Sequence, residues 1–222
     1  GGTGGGVILP PSLLAASATA AALPTLTPGP AFLMMLGIGA SQGRRAGAGF
    51  VFGHLAGDLL WSSLALVAII GAHSAGGLAF DVLGLVCGLY LGWLGLRAVA
   101  STRRDGAAVT PLVRRPWLRG VLFGLTNPKG YPVAVAAFTA LLAGHASVLT
   151  WAAMPQLLLA AIAGFLLADV ALVAIVGAAR VRLLYQRHET WVVRAAGLIF
   201  LGFAALSLLN AAPGLRRAWT GR

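Results

Sequence analysis

Apolar residues run through this chain in long blocks separated by short polar joints, and the blocks far outlast the alternating period of a half-buried strand. Six of them, at about residues 7–40, 46–71, 78–99, 118–143, 152–179 and 192–211, reach the roughly 20 residues that a helix needs to cross a bilayer core. The pattern predicts an all-α membrane protein with six transmembrane helices. The first block is too long for one straight helix and holds Pro24, Pro28 and Pro30, which predicts a break or a re-entrant turn.

The joints differ in charge. Those near 41–46, 97–119 and 180–194 hold twelve arginines, whereas 72–77 and 144–151 hold no Lys or Arg. Arg-rich joints stay on the cytoplasmic side of a membrane, so six crossings would place both termini outside. Arg216, Arg217 and Arg222 then fall on the opposite side to the other arginines. The longest polar interval, 101–116, reads as a cytoplasmic linker between a first three-helix unit at 7–100 and a second at 117–212. Residues 1–6, all but one of them glycine, read as a flexible tail, and 213–222 as a basic C-terminal tail. An odd number of crossings per unit means that related units insert with opposite orientation, as two inverted repeats.

Composition agrees with this picture. Of the 222 residues 59% are apolar and 9% charged, and a soluble domain of this size could not cover so much apolar surface with polar groups. The formal charge of +11 would suggest a nucleic-acid partner in a soluble protein. Here the cations flank apolar blocks, so no nucleic acid is expected; the partner is membrane lipid. The single cysteine, Cys87, rules out an internal disulfide, a Cys-x-x-Cys pair and a cysteine-rich zinc site. Gly39-Ala40-Ser41-Gln42-Gly43 fits the G-x-S-x-G nucleophile pattern, which requires a preceding strand; here it ends a membrane helix, and no enzyme is predicted. No metal or cofactor is implied by the spacing of His, Cys and carboxylates.

The chemistry concentrates at two breaks. The first block carries Leu26-Thr27-Pro28-Gly29-Pro30 and the fourth Leu125-Thr126-Asn127-Pro128-Lys129-Gly130, each a Leu-Thr pair followed by helix breakers at matching places in the two units. Proline deletes a backbone donor and glycine relaxes the chain, so both breaks free polar backbone that hydrocarbon does not tolerate unless it lines a wet cavity or is buried in protein. Helix ends brought together near the midplane offer amides and partial positive charge to a carboxylate. Thr27, Pro28, Gly29, Pro30, Asn127, Pro128 and Lys129 are therefore the candidate substrate-binding or gating residues. Lys129 is the one lysine of the chain, and a cation at the centre of a membrane helix costs about 2.5–3.5 kcal/mol, so it should face a cavity.

Asp58 and Asp169 lie in the second helix of each unit, related positions under inverted symmetry, and are candidate proton carriers or ammonium contacts. His54 shares a helix face with Asp58, four residues on, with Trp61 on the same stripe. Asp81, Asp105 and Glu189 fall at ends or in loops and read as solvated, and His73 and His145 fall in short external joints. Glycine at four-residue spacing, Gly49, Gly53 and Gly57, then Gly84, Gly88 and Gly92, marks close helix packing. Such stripes serve contacts within one chain or between two copies, so a homo-oligomer stays open.

Leu26-Thr27-Pro28-Gly29-Pro30, Gly43-Arg44-Arg45-Ala46-Gly47, Gly53-His54-Leu55-Ala56-Gly57-Asp58, Tyr90-Leu91-Gly92-Trp93-Leu94-Gly95 and the run from Gly120 to Lys129 occur in this order and spacing across nearly the whole chain. In this the sequence resembles the LysE/RhtB-type amino-acid exporter family. The resemblance implies a small multi-pass exporter of the bacterial inner membrane that expels amino acids or close analogues, driven by the proton gradient or the membrane potential. By motif it carries functional roles to Pro28, Gly29, Pro30, Asp58, Asn127, Pro128 and Lys129, whereas Asp169 rests on the symmetry argument. Rival readings are a metal-cation exporter of related fold, a membrane thiol-redox enzyme and a non-transporting assembly factor. Two scattered aspartates and one cysteine speak against the first two.

Overall fold

The computed structural model describes residues 8–27, 29–100, 113–127, 130–176 and 179–220. Among these residues it forms eight α-helices: α1 (Pro11–Leu26), α2 (Pro30–Gln42), α3 (Arg44–Ala75), α4 (Gly77–Val99), α5 (Pro116–Thr126), α6 (Gly130–Leu142), α7 (Met154–Val176) and α8 (Ala179–Thr220). Short 3-10 turns at Ala143–Val148 and Trp151–Ala153 lead from α6 into α7.

Four segments are each long and apolar enough to cross a membrane: Arg44–Ala75, Gly77–Val99, Trp151–Ile175 and Thr190–Thr220. The first predicted span breaks into α1 and α2, which meet at 59° and together are long enough for a fifth. The fourth predicted span also breaks. With 11 and 13 residues, α5 and α6 are each too short to cross by themselves, because Asn127 and the proline after it interrupt the run. The sixth predicted span is longer than its apolar block. Helix α8 runs 42 residues without a gap, through the whole Arg-rich joint at 180–194 and past Pro213 to Thr220, so the expected C-terminal tail is largely helical. The joint at 180–194 has no Gly or Pro to stop a helix, which is why polarity there marks no loop.

Glycine sets how the helices pair. Gly53, Gly57, Gly120 and Gly124 lie where α3 and α5 run side by side, parallel, so close that an added Cβ would strike the opposing backbone. Gly164 of α7 packs in the same way on the carbonyl of Ala18 in α1. Gly84, Gly88 and Gly95 of α4 receive Ser207, Leu208 and Leu201 of α8, which runs the other way. The predicted glycine stripes thus serve contacts within the chain, and the Ser207 hydroxyl closes one of them by donating to the Gly84 carbonyl at 2.8 Å.

Both broken pairs run from one end of the molecule to the other. Arg44, at the start of α3, donates through Nε to the Val173 carbonyl at 3.0 Å and through Nη2 to the Ala174 carbonyl at 3.3 Å, capping the C-terminal end of α7. The end of α2 and the starts of α3 and α5 therefore gather at this Arg-rich end. At the opposite end Ser12 Oγ lies 3.2 Å from His145 Nε2, and the Leu9 amide donates to Gln156 Oε1 at 3.4 Å, joining the start of α1 to the turns after α6. Asp81 at this far end abuts Gly214 and feels the charge of Arg217. An acid thus offsets one of the arginines that fall away from the others.

Candidate functional site

A cavity of about 520 Å3 opens between the two breaks, with walls from α1, α2, α3, α4, α6, α7 and α8. Thr27, Gly29, Asn127, His54, Asp58 and Asp169 all line it. Six of the ten residues expected at a site from sequence are thus brought to one place. Pro30 begins α2. Pro28, Pro128 and Lys129 lie outside the described residues, although Asn127 and Gly130 on either side of the second break both line the cavity.

Each break is closed by a local device. The Thr27 hydroxyl donates to the Leu23 carbonyl at 2.6 Å, and the Thr126 hydroxyl donates to the Leu122 carbonyl at 2.6 Å, so the same residue type bonds back to the carbonyl four residues earlier at the end of both helices. Proline at 28 or 128 has no N–H for the carbonyl four residues earlier. In the first break that carbonyl, on Pro24, accepts the Thr27 amide at 3.2 Å. In the second it belongs to Gly124 and accepts the indole N–H of Trp61 at 2.9 Å. Trp61 therefore stitches α3 to the broken span, besides lining the cavity.

The ionisable groups come from α3 and α7. His54 Nδ1 lies 2.9 Å from Asp58 Oδ2, the pair expected from their four-residue spacing, with side chains 16% and 20% exposed. His54 Nε2 is buried with no hydrogen-bond partner. Asp169 is 2% exposed, and its Oδ2 likewise has no partner. A buried carboxylate oxygen without a partner is costly, and this one belongs to a residue that lines the cavity. Sequence reasoning missed Arg97, which is among the residues lining the cavity and whose guanidinium stacks 5.0 Å from the Trp93 ring. It missed Gly164 as well, although the sequence held a signal: glycine stands five residues before Asp169 as Gly53 stands five before Asp58. Among the described residues no three His, Cys, Asp or Glu side chains gather to hold a metal.

Two helix contacts match in spacing. Gly53 packs on the carbonyl of Trp117, nine residues before Thr126, and Gly164 packs on the carbonyl of Ala18, nine residues before Thr27. Helices of membrane length, broken spans and a cavity holding buried ionisable side chains within an apolar shell define a multi-pass membrane protein of the transporter kind. The family model of the LysE type translocator matches residues 23–211, and the chain belongs to that family. No curated protein and no solved structure matches it.

Proposed function

We propose that this protein exports amino acids or close analogues across the bacterial inner membrane by alternating access, with the cavity between the broken spans as the substrate site. The observation that carries the reading is the buried, unpartnered Oδ2 of Asp169 in a cavity that also holds the His54–Asp58 pair and both breaks. The substrate ammonium meets Asp169. Its carboxylate meets the first turn of α2, where Gly29, Ala31 and Leu33 line the cavity at the positive end of the helix dipole, together with Lys129. Thr27 and Asn127 hold the two breaks at that site, and Pro28, Pro30 and Pro128 keep the spans from closing into continuous helices. His54 and Asp58 carry the coupling proton, which ties export to the proton gradient or the membrane potential.

The two units act as inverted repeats in this reading. Its support is the exchange of contacts: α1 runs parallel to α7 as α5 runs parallel to α3, with glycine five residues before an aspartate against a carbonyl nine residues before a threonine in both cases. Six crossings with the Arg-rich end in the cytoplasm follow. Alternating access then exchanges the environments of the two breaks.

Efflux of radiolabelled amino acids from loaded vesicles, with and without an imposed pH gradient and potential, tests the proposal. Wild type is expected to export faster with the gradient, and Asp169→Asn to lose export while still inserting and purifying as a folded protein. Unchanged efflux in Asp169→Asn removes the site. Equal rates with and without a driving force remove the coupling.

A further inference from the structure

Deepening that reading, and resting on it, we infer that the cavity selects amino acids with one ammonium group and an apolar side chain, branched or aromatic, over basic and hydroxylated ones. The first argument is charge. Among the described residues the acids lining the cavity are Asp58 and Asp169. Asp58 already holds the His54 imidazole at 2.9 Å through Oδ2, whereas Asp169 Oδ2 is buried with no hydrogen-bond partner. One such atom matches one ammonium. A basic substrate brings a second ammonium, which would have to share Asp58 with the His54 imidazole, and a buried charge without a partner of its own is disfavoured.

The second argument is the wall. Phe32, Phe50, Phe138, Phe165 and Phe200, with Met35, come from α2, α3, α6, α7 and α8 to line the same cavity. Phenyl rings drawn from so many elements present apolar surface on several sides; they reward an apolar side chain and offer a hydroxyl no hydrogen bond, while the hydroxyls of Thr25 and Thr27 on the same lining already donate to the Ala21 and Leu23 carbonyls. Phe165 stands one helical turn before Asp169, so an apolar surface begins beside the ammonium contact. A volume of about 520 Å3 lies within the range of small-molecule sites and leaves room for a bulky side chain.

The test is a panel of labelled L-leucine, L-phenylalanine, L-threonine and L-lysine in counterflow across vesicles holding the full-length wild-type chain. Leucine and phenylalanine are expected to exchange at least about tenfold faster than lysine and at least about threefold faster than threonine, within the range a hydrophobic pocket discriminates. Phe32→Ser and Phe200→Ser, at two half-buried wall positions, are expected to narrow the leucine-to-threonine ratio at least about threefold in one or both. Lysine or threonine moving as fast as leucine in wild type overturns the selectivity and leaves export standing. Unchanged ratios in both serine variants overturn the assignment of selectivity to the phenyl wall. If folded wild type moves none of the four, the export reading falls and the selectivity with it.

Discussion

Helices α3 and α7 carry the same pair of residues, glycine and, five positions on, aspartate, yet they surround the aspartate differently. In α3 the residue one turn before Asp58 is His54, and the two side chains meet at 2.9 Å. In α7 the residue one turn before Asp169 is Phe165, which is 4% exposed and gives the carboxylate nothing to bond. The glycines make like contacts, Gly53 with the Trp117 carbonyl and Gly164 with the Ala18 carbonyl. What the units share is the packing that positions a broken span against its neighbour. What separates them is whether the acid is already answered. A substrate ammonium competes with an imidazole at Asp58 and with no hydrogen-bond donor at the buried Asp169 Oδ2, so the division of labour proposed here follows from one residue in each helix.

The hardest way to break the shared part is to fill the glycine sites. Gly53→Leu and Gly164→Leu each push a branched side chain into backbone that belongs to another helix, where no rotamer relieves the clash. Overpacking of a core costs about 1–3 kcal/mol, and more where backbone must move. Both variants are expected to lose most of their monodisperse yield after solubilisation, to a similar degree. If one of them purifies like wild type, the two contacts are not equivalents and the case for inverted repeats weakens.

The sequence made the ends of this argument legible and left its middle dark. Long apolar blocks gave the spans because lipid leaves no alternative way to satisfy the backbone. Proline clusters gave the breaks at Thr27–Gly29 and after Thr126, since a missing N–H is a local, covalent fact. His54 and Asp58 were readable as a pair because helical spacing is also local. The phenyl wall was not readable, because its members come from five helices and no period in the chain announces that they converge. Arg97 was passed over as one of the flanking cations, for a charge at a helix end usually snorkels to water. Polarity misled at 180–194, where an uninterrupted helix extends beyond the apolar block.

The unshared part breaks at the acids. Asp169→Asn keeps the shape of the side chain and removes its charge, and efflux is expected to fall at least about a hundredfold, worth about 2.7 kcal/mol of transition-state stabilisation. Asp58→Asn leaves His54 in place beside a neutral amide and is expected to cost about tenfold, with a larger share of the loss in the response to an imposed pH gradient. Equal losses in both, with the same response to the gradient, erase the distinction between a substrate acid and a coupling acid. The sharper version moves the partner instead of the acid. Phe165→His gives Asp169 an imidazole one turn away, in the register that His54 has toward Asp58. It is expected to slow efflux about tenfold at low substrate and less at saturation, because the ammonium must displace the imidazole. No change in that variant means the freedom of Asp169 is not what the substrate uses.

The smallest expected effect concerns how the two breaks are closed. Main-chain donor Thr27 serves the Pro24 carbonyl in the first, whereas the second reaches across to α3 for the Trp61 indole, 2.9 Å from the Gly124 carbonyl. Trp61→Phe keeps most of the ring and deletes the N–H, leaving that carbonyl without its donor. An unanswered buried acceptor costs about 1–3 kcal/mol, which in a chain of this size lowers the melting temperature by a few degrees. The Thr126→Val variant, which deletes the hydroxyl from the matching local device, is expected to cost no more than its counterpart Thr27→Val, because Leu122 and Leu23 are served alike at 2.6 Å. Thermal unfolding in detergent separates these outcomes. A Trp61→Phe protein that melts with wild type shows the second break to be as self-sufficient as the first, and the tie between α3 and the broken span then rests on glycine packing alone.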